Sequence, residues 1–452
     1  MLLGGLLLPA TGQAIALSCL VSPSRAAVPA QSALRFGIYP GGGAGSVDPK
    51  APTRPEDPAR RLAAVRSLAG SNPFVVRLYT AWTGVAAADD VGSWLDAEIA
   101  DYAAAGLNLE LVVRYKPVTA GGSAPAAFAD YVRSIVRRYG PDERFVSLQV
   151  TNEANMPGAP DASDGAFAGA AQALVDGVVA AKDQVRRDGH DQVRIGFSWA
   201  YDERPLASGD FWATLGRLGG SAFADAVDWV GLDSYPGTWA PQLPLSDLLP
   251  GLAAIAVKDS ARSLRECFMP MAGLGSSTTI HLAENGFPTG PGRSEQLQAQ
   301  VLAAMVRGVD AIRDRYGVSD YRWFDLRDSA TADPSIESQY GITRDDYSPK
   351  PAFATYRDLI AAHGGGAAGP VATSACTPSP VKVAVPRWKG RRVTSLVVRV
   401  GTKVAKRVRR SRMPRVVRVR MQSGLASVRL ELTARARAHK LTRVLRRTYA
   451  VC

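Results

Sequence analysis

The sequence predicts an α/β fold, a (β/α)8 TIM barrel followed by a small all-β, sandwich-like C-terminal domain, and three observations carry that expectation. Short β-rich runs alternate with longer helical patterns between Leu34 and His363, as repeated βα units require. Eight such runs can be counted, at Leu34–Tyr39, Phe74–Tyr79, Leu107–Tyr115, Phe145–Asn152, Val193–Trp199, Val227–Tyr235, Thr279–Glu284 and Tyr321–Leu326. After a Gly- and Pro-rich stretch the periodicity changes to two. A doubly wound open sheet reads alike locally. The barrel is preferred because residues suited to chemistry close several different strands, whereas an open sheet gathers its site at one crevice.

Taken in order, residues 1–27 open with an apolar run (Met1 to Leu17) closed by small and polar residues (Ser22 to Ala27), the pattern of a secretory signal cut near Ala26 or Ala27. No Lys or Arg precedes the run, which leaves open a start codon upstream. Glycines and Pro9 interrupt it, and nothing later reaches the roughly 18 continuous apolar residues of a membrane span. A secreted protein is expected. The barrel should occupy residues 31–363. Within it Phe128, Tyr131, Ile135 and Val136 recur at helical spacing before Tyr139-Gly140-Pro141, and Ser294 can cap a helix whose Leu297, Val301, Met305, Val309 and Ile312 share one face. Residues 364–380 form a linker by composition. In residues 376–452, Val417, Val419 and Met421 alternate with Arg418 and Arg420, and Val428, Leu430 and Leu432 with Arg429, Glu431 and Thr433, the signature of half-buried strands.

Charge follows the same boundary. From Cys376 onward there are 22 Lys and Arg against one acid, Glu431, whereas the preceding 375 residues carry 32 against 40. The basic sheet suits an anionic cell-surface polymer or a merely solvated face, and its few aromatics (Trp388, Tyr449) disfavour stacking on single-stranded nucleic acid. Export permits a disulfide, and Cys376 with Cys452 bracket the last domain, leaving Cys267 as a buried free thiol.

Chemistry in a barrel occurs where strands end. There the chain places Arg77, Arg114 and Tyr115, Asn152 and Glu153, Trp199, Asp233 and Tyr235, Glu284, then Trp323 and Asp325. Two glutamates at strand ends can supply what acetal cleavage needs, a proton donor on the leaving oxygen and a second carboxylate across the sugar ring. Arg77 and the Tyr235 hydroxyl would orient Glu284, and the charge on Glu284 would raise the proton affinity of Glu153.

Thr151-Asn152-Glu153-Ala154-Asn155, Glu284-Asn285-Gly286 and Trp323 resemble the clan of (β/α)8 retaining glycoside hydrolases with catalytic glutamates on strands four and seven, a superfamily that includes cellulases and β-xylosidases. The resemblance covers roughly residues 34–363. It implies Glu153 as acid/base, Glu284 as nucleophile, Asn152 on the sugar 2-hydroxyl and Trp323 under the central sugar. The substrate would be an oligo- or polysaccharide cut by double displacement, with no cofactor and no metal. Trp82, Trp199, Trp239 and Phe287 are candidates for stacking on further units, and Tyr115 for the wall of the site. Ala154 stands where many members have proline, and Tyr115 and Asp233 where cellulase-related families have histidines, so no single family fits. A glycan-binding barrel without catalysis and a transglycosidase remain alternatives.

Other chemistries lack support. Gly41 to Ser46 does not complete a dinucleotide fingerprint and reads as a loop at the site mouth. His190, His281, His363 and His439 are scattered, without metal-ligand spacing. Strand parity relative to Glu284 points His281 toward the surrounding helices.

Overall fold

The computed structural model describes residues 28, 33–43, 50–84, 93–117, 124–364, 380–385, 393–400, 403–409, 413–420, 424–436 and 439–451. The chain divides into two compact units between Ala367 and Ala368. In the first, eight parallel strands close into a barrel in chain order: β1 Arg35–Ile38, β2 Phe74–Trp82, β3 Asn108–Tyr115, β4 Phe145–Val150, β5 Arg194–Ala200, β6 Trp229–Ser234, β7 Thr279–Asn285 and β8 Val318–Trp323. Strands covered on both sides need apolar residues on both faces, hence the near-continuous β-rich runs. Strand β8 starts at Val318 rather than Tyr321 and ends at Trp323 rather than Leu326. Its first turn of chain is polar, and Asp320 there is buried by ion pairing rather than by hydrophobicity.

Among the described residues, eight long helices accompany the strands: α1 Pro58–Ala69, α2 Ser93–Ala104, α3 Pro125–Tyr139, α4 Ala170–Asp188, α5 Pro205–Ala224, α6 Leu249–Ser263, α7 Glu295–Asp310 and α8 Pro351–His363. Their ends follow local chemistry. Asp57 caps α1 by accepting from the N–H groups of Ala59 and Arg60, each at 3.0 Å. Ser294 caps α7 by accepting from Leu297 at 3.1 Å, and Val301, Met305 and Val309 turn inward; the helix stops at Asp310, before Ile312. In α3, Phe128, Val132, Ile135 and Val136 form the buried stripe.

The barrel interior carries a layer of paired charges. Arg77 Nη1 donates to Glu110 Oε1 at 2.9 Å. Arg322 Nη2 donates to Glu110 Oε2 at 3.2 Å and to Asp320 Oδ1 at 2.8 Å, while Arg35 Nη2 reaches Asp320 Oδ2 at 2.9 Å. Gly37 leaves the guanidinium its space, since a Cβ there would lie 2.6 Å from Arg322 Cδ.

His281 belongs to this layer and does not face the helices. Its Nε2 is 3.1 Å from Asp320 and its ring stacks on Trp229 with centroids 4.2 Å apart. A β-bulge overturns the parity argument. Leu232 pairs with Leu282, but the next residue, Asp233, pairs with Glu284, so Ala283 is an extra residue in β7. His281 and Glu284, three positions apart, therefore share the inner face. Burial lowers the His281 pKa to about 4 against the pull of Asp320, so the ring is neutral at pH 7.

In the second unit a four-stranded antiparallel sheet is ordered β11–β10–β13–β14, from β10 Val393–Val400, β11 Lys403–Arg409, β13 Gly424–Ala436 and β14 His439–Val451. A two-stranded sheet pairs β9 Val381–Ala384 with β12 Val416–Val419. Leu396, Val398, Val428, Leu430 and Leu432 of the first sheet form one buried cluster with Val383, Val417 and Val419 of the second. The alternation of period two is thus a sandwich-like core, with Arg418 and Arg420 on the solvent side.

Among the described residues, no helix is long and apolar enough to cross a membrane. The signal segment, residues 365–379 of the linker and the Cys376–Cys452 pair lie outside the described residues, as does the end of the Gly41–Ser46 loop. Cys267 is buried and is not a free thiol.

Candidate active site

Strands β2, β4, β6 and β7 bring their polar ends together at one mouth of the barrel. Glu284, on β7, accepts from Tyr79 Oη at 2.6 Å and Arg77 Nη2 at 3.2 Å on one oxygen, and from Tyr235 Oη at 2.9 Å on the other. Arg77 is fully buried and its Nε also donates to Tyr79 Oη at 2.8 Å. Burial, opposed by Arg77 and reinforced by Glu284, keeps the Tyr79 hydroxyl well above the usual tyrosine range, so it remains a donor. Burial and Glu284 do the same for Tyr235. No motif marks Tyr79 in the sequence, but it sits two residues beyond Arg77 on the same strand, and period two puts both on one face.

Glu153 follows β4 through a strained turn. Thr151 and Glu153 adopt φ of 63° and 47°, left-handed values that cost energy for residues with a Cβ. Other contacts hold the turn. Glu153 N donates to Ser198 Oγ at 3.1 Å, Asn152 N to Asp164 Oδ2 at 2.8 Å, and Asn155 is bonded in both directions to the backbone of Ala200. Ser163 Oγ donates to Glu153 Oε2. Asp164 in turn is held by Arg114 Nε at 2.9 Å and Tyr115 N at 2.7 Å. Burial pushes Asp164 up to about 6 against these bonds.

One carboxyl oxygen from each of Glu153, Asp233 and Glu284 lies within 4.8 Å of the others. Among the described residues this is the cluster whose spacing could also hold a metal ion. Burial first, then the charge of Glu284, pushes Glu153 up to about 8, so it holds a proton at neutral pH while facing a carboxylate. Asp233 is raised well above the carboxylate range by burial, Glu284 and Glu153. Gly286 permits the close packing beyond Glu284, because a Cβ there would meet Phe324 O at 2.3 Å and the Tyr235 ring at 3.1 Å.

The remaining candidates are placed differently. The Asn152 side chain spends its N–H on Ala162 O at 2.9 Å and accepts from Gln149 at 3.2 Å. Trp323 is buried, with its ring 6.5 Å from Tyr356 of α8. Trp199 packs among Trp212 and Phe268, and Trp82 stacks on Tyr115 at 5.6 Å. The Tyr115 hydroxyl is occupied by Ala168 O and Ala124 N. Phe287 is buried beneath Arg293, and Trp239 is half exposed. Phe324, one residue past Trp323, is only partly buried and lies against Tyr235, a donor to Glu284. It stacks on Tyr39 at 5.3 Å and meets Tyr235 edge-on at 6.4 Å. No sequence signal distinguished it from its neighbour, because the strand end decides which of the two rings faces the mouth.

No known family profile matches the sequence, and no curated protein matches it. Solved structures similar to it include a GH5_18 protein from Streptomyces cattleya in complex with GlcNAc, at 18% identity over 74% of this chain and 80% of that one, TM-score 0.50. Others are a family 39 glycoside hydrolase from Bacteroides cellulosilyticus (13%; 90% and 74%; TM-score 0.46) and a β-glucuronidase from Bacteroides uniformis (10%; 94% and 46%; TM-score 0.46). The chain spans about half the length of the β-glucuronidases. At such identities the likeness is one of fold. With the GH5_18 protein the chain shares the fold alone, a closed eight-stranded barrel.

Proposed function

We propose that this chain is an exported retaining β-glycoside hydrolase acting on an oligo- or polysaccharide. One observation carries the reading: Glu153 and Glu284 bring carboxyl oxygens within 4.8 Å, one protonated at neutral pH and the other the target of three donors. Retention needs carboxyl groups about 5 Å apart, whereas inversion needs about 6.5–9.5 Å to seat a water.

In the first step Glu153 gives its proton to the glycosidic oxygen as the bond to the anomeric carbon breaks, and a Glu284 oxygen bonds that carbon from the opposite face. The leaving group departs as an alcohol. In the second, Glu153 takes a proton from water, whose oxygen attacks the anomeric carbon. The bond to Glu284 breaks, its carboxylate is restored, and the sugar leaves with its original configuration. Arg77, Tyr79 and Tyr235 orient Glu284 and receive its charge back, while Phe324 offers the ring an apolar face.

The full chain should hydrolyse some member of an aryl-glycoside panel, and Glu153→Ala and Glu284→Ala should each lower kcat at least about a thousandfold. A 2-fluoro glycoside should label Glu284. Undiminished turnover in either variant would overturn the assignment, and tight glycan binding with neither label nor turnover would make the barrel a binding module.

A further inference from the structure

The pairing of Glu153 and Glu284 leaves Asp233 unexplained. It is 2% exposed, it is the penultimate residue of β6, paired with Glu284 in the strand ladder, and one of its oxygens lies within 4.8 Å of both glutamates. Neither carboxyl oxygen meets the geometry of a hydrogen bond. A buried carboxylate with little more than the Ser198 hydroxyl to solvate it would be costly, and at this site the cost is compounded by two like-charged neighbours.

The groups around it leave one cation. Glu284 faces it from β7, Glu153 from the turn after β4, the Tyr235 hydroxyl from beyond β6, the Ser198 hydroxyl from β5 and Arg77 from β2. Arg77 is already divided among Glu110, Glu284 and Tyr79. Ser198 Oγ accepts from Glu153 N and Gln149 Nε2, each at 3.1 Å, and its own O–H is the single neutral donor on the Asp233 side, which opposes but does not outweigh burial and the two glutamates.

We propose that Asp233 is a positioning residue that works as a neutral acid, its O–H turning toward whichever glutamate carries the charge. This rests on the roles assigned above to Glu153 and Glu284. In the free enzyme the charge is on Glu284, and Asp233 offers its O–H there as a fourth donor. Formation of the glycosyl ester removes that charge, and loss of the Glu153 proton to the leaving group creates an equal one within the same reach. The O–H then serves Glu153 until water is deprotonated and the charge returns. Asp233 keeps its proton throughout, and the centre holds a single negative charge in both halves of the reaction. Burial and the two glutamates favour the neutral form, in keeping with this role.

Asp233→Asn keeps a neutral side chain with a donor, whereas Asp233→Ala removes the donor. With the full chain and its best aryl glycoside, we expect Asn to lower kcat less than about tenfold and Ala about a hundredfold, with KM little changed. A carboxylate role predicts the reverse, with Asn as harmful as Ala. Infrared spectroscopy decides the matter without turnover. At pH 7 the wild type should show carboxylic-acid C=O absorption that decreases in Asp233→Asn and, separately, in Glu153→Gln. No decrease in the Asn variant would overturn the proposal, even if Asp233→Ala fails to fold. So would loss of the absorption on adding Ca2+, Mg2+ or Zn2+, which would make the cluster a metal site. A chain that cleaves no glycoside would remove the functional reading, and the infrared result would still show whether Asp233 is a neutral acid.

Discussion

Deep in the barrel, Glu110 and Asp320 lie among Arg35, Arg77 and Arg322, with the neutral His281 beside them; at its mouth, Asp233 and Glu284 share Arg77, and Glu153 has only the pull of Arg114. Burial raises the proton affinity of every one of these carboxyls that shifts, so burial cannot separate the two layers. Cations do. Despite burial, Arg322 and Arg77 hold Glu110 well below the usual carboxylate range, and Arg35 and Arg322 do the same for Asp320. Glu153 and Asp233, each opposed by a single guanidinium (Arg114 and Arg77) that burial and the neighbouring glutamates outweigh, are pushed up. The lower layer is built to be ionised and matched. The upper is built to be under-compensated, which is the condition for a carboxylic acid that still holds a proton at neutral pH.

The largest effect should come from unbalancing the matched layer. Glu110→Gln keeps the shape but leaves two buried guanidinium groups, of Arg77 and Arg322, without this counter-charge. Breaking such a pair costs about 3–5 kcal/mol, which urea denaturation would read directly. Activity should fall as well, because Arg77 loses the contact that aims its other nitrogen at Glu284. A stability loss below about 1 kcal/mol would mean that the two layers do not differ as described.

The mouth should respond in the opposite sense. Glu153 has a folded pKa of about 8 against an ordinary value of 4.5, so between these pH values the native state holds a proton that the unfolded chain has released. Stability contributed by that proton is fully present below about pH 4.5 and is lost as pH rises toward 8. Glu153→Gln removes the titration. Its stability should fall less steeply than that of the wild type across this window, and the variant should be the more stable of the two near pH 8 while nearly inactive. Parallel stability curves would show that Glu153 is not strained by its neighbours.

How much of this was legible in the sequence differs between the layers. The strands and their order could be read because β-rich runs and helical stripes repeat with different periods, and the glutamates because they close such runs. Arg77 was legible as a strand-end cation. His281 was not, since the extra residue Ala283 shifts parity by one and a bulge has no marker in composition. Tyr79 could have been found from parity alone, whereas the positions of Trp199 and Trp323 against helices and of Phe324 at the mouth depend on where each strand ends. Ser163 lies ten residues beyond Glu153, and only the folding of the intervening loop brings them together.

That serine gives the finest test of the contrast, because it supplies one of the few donors in the under-compensated layer. The Ser163 hydroxyl bonds Glu153 and lowers its proton affinity, partly offsetting burial and Glu284. In Ser163→Ala the offset is lost and the carboxyl should hold its proton to higher pH. The alkaline limb of kcat/KM, which lies near pH 8 when Glu153 is the essential acid, should then move upward by up to about one unit. Turnover at neutral pH should drop only about two- to tenfold, because the acid stays protonated and loses only one orienting bond. A downward shift would mean that the hydroxyl accepts from a protonated Glu153 instead of donating to its carboxylate, and would reverse the sign of its contribution to the mouth.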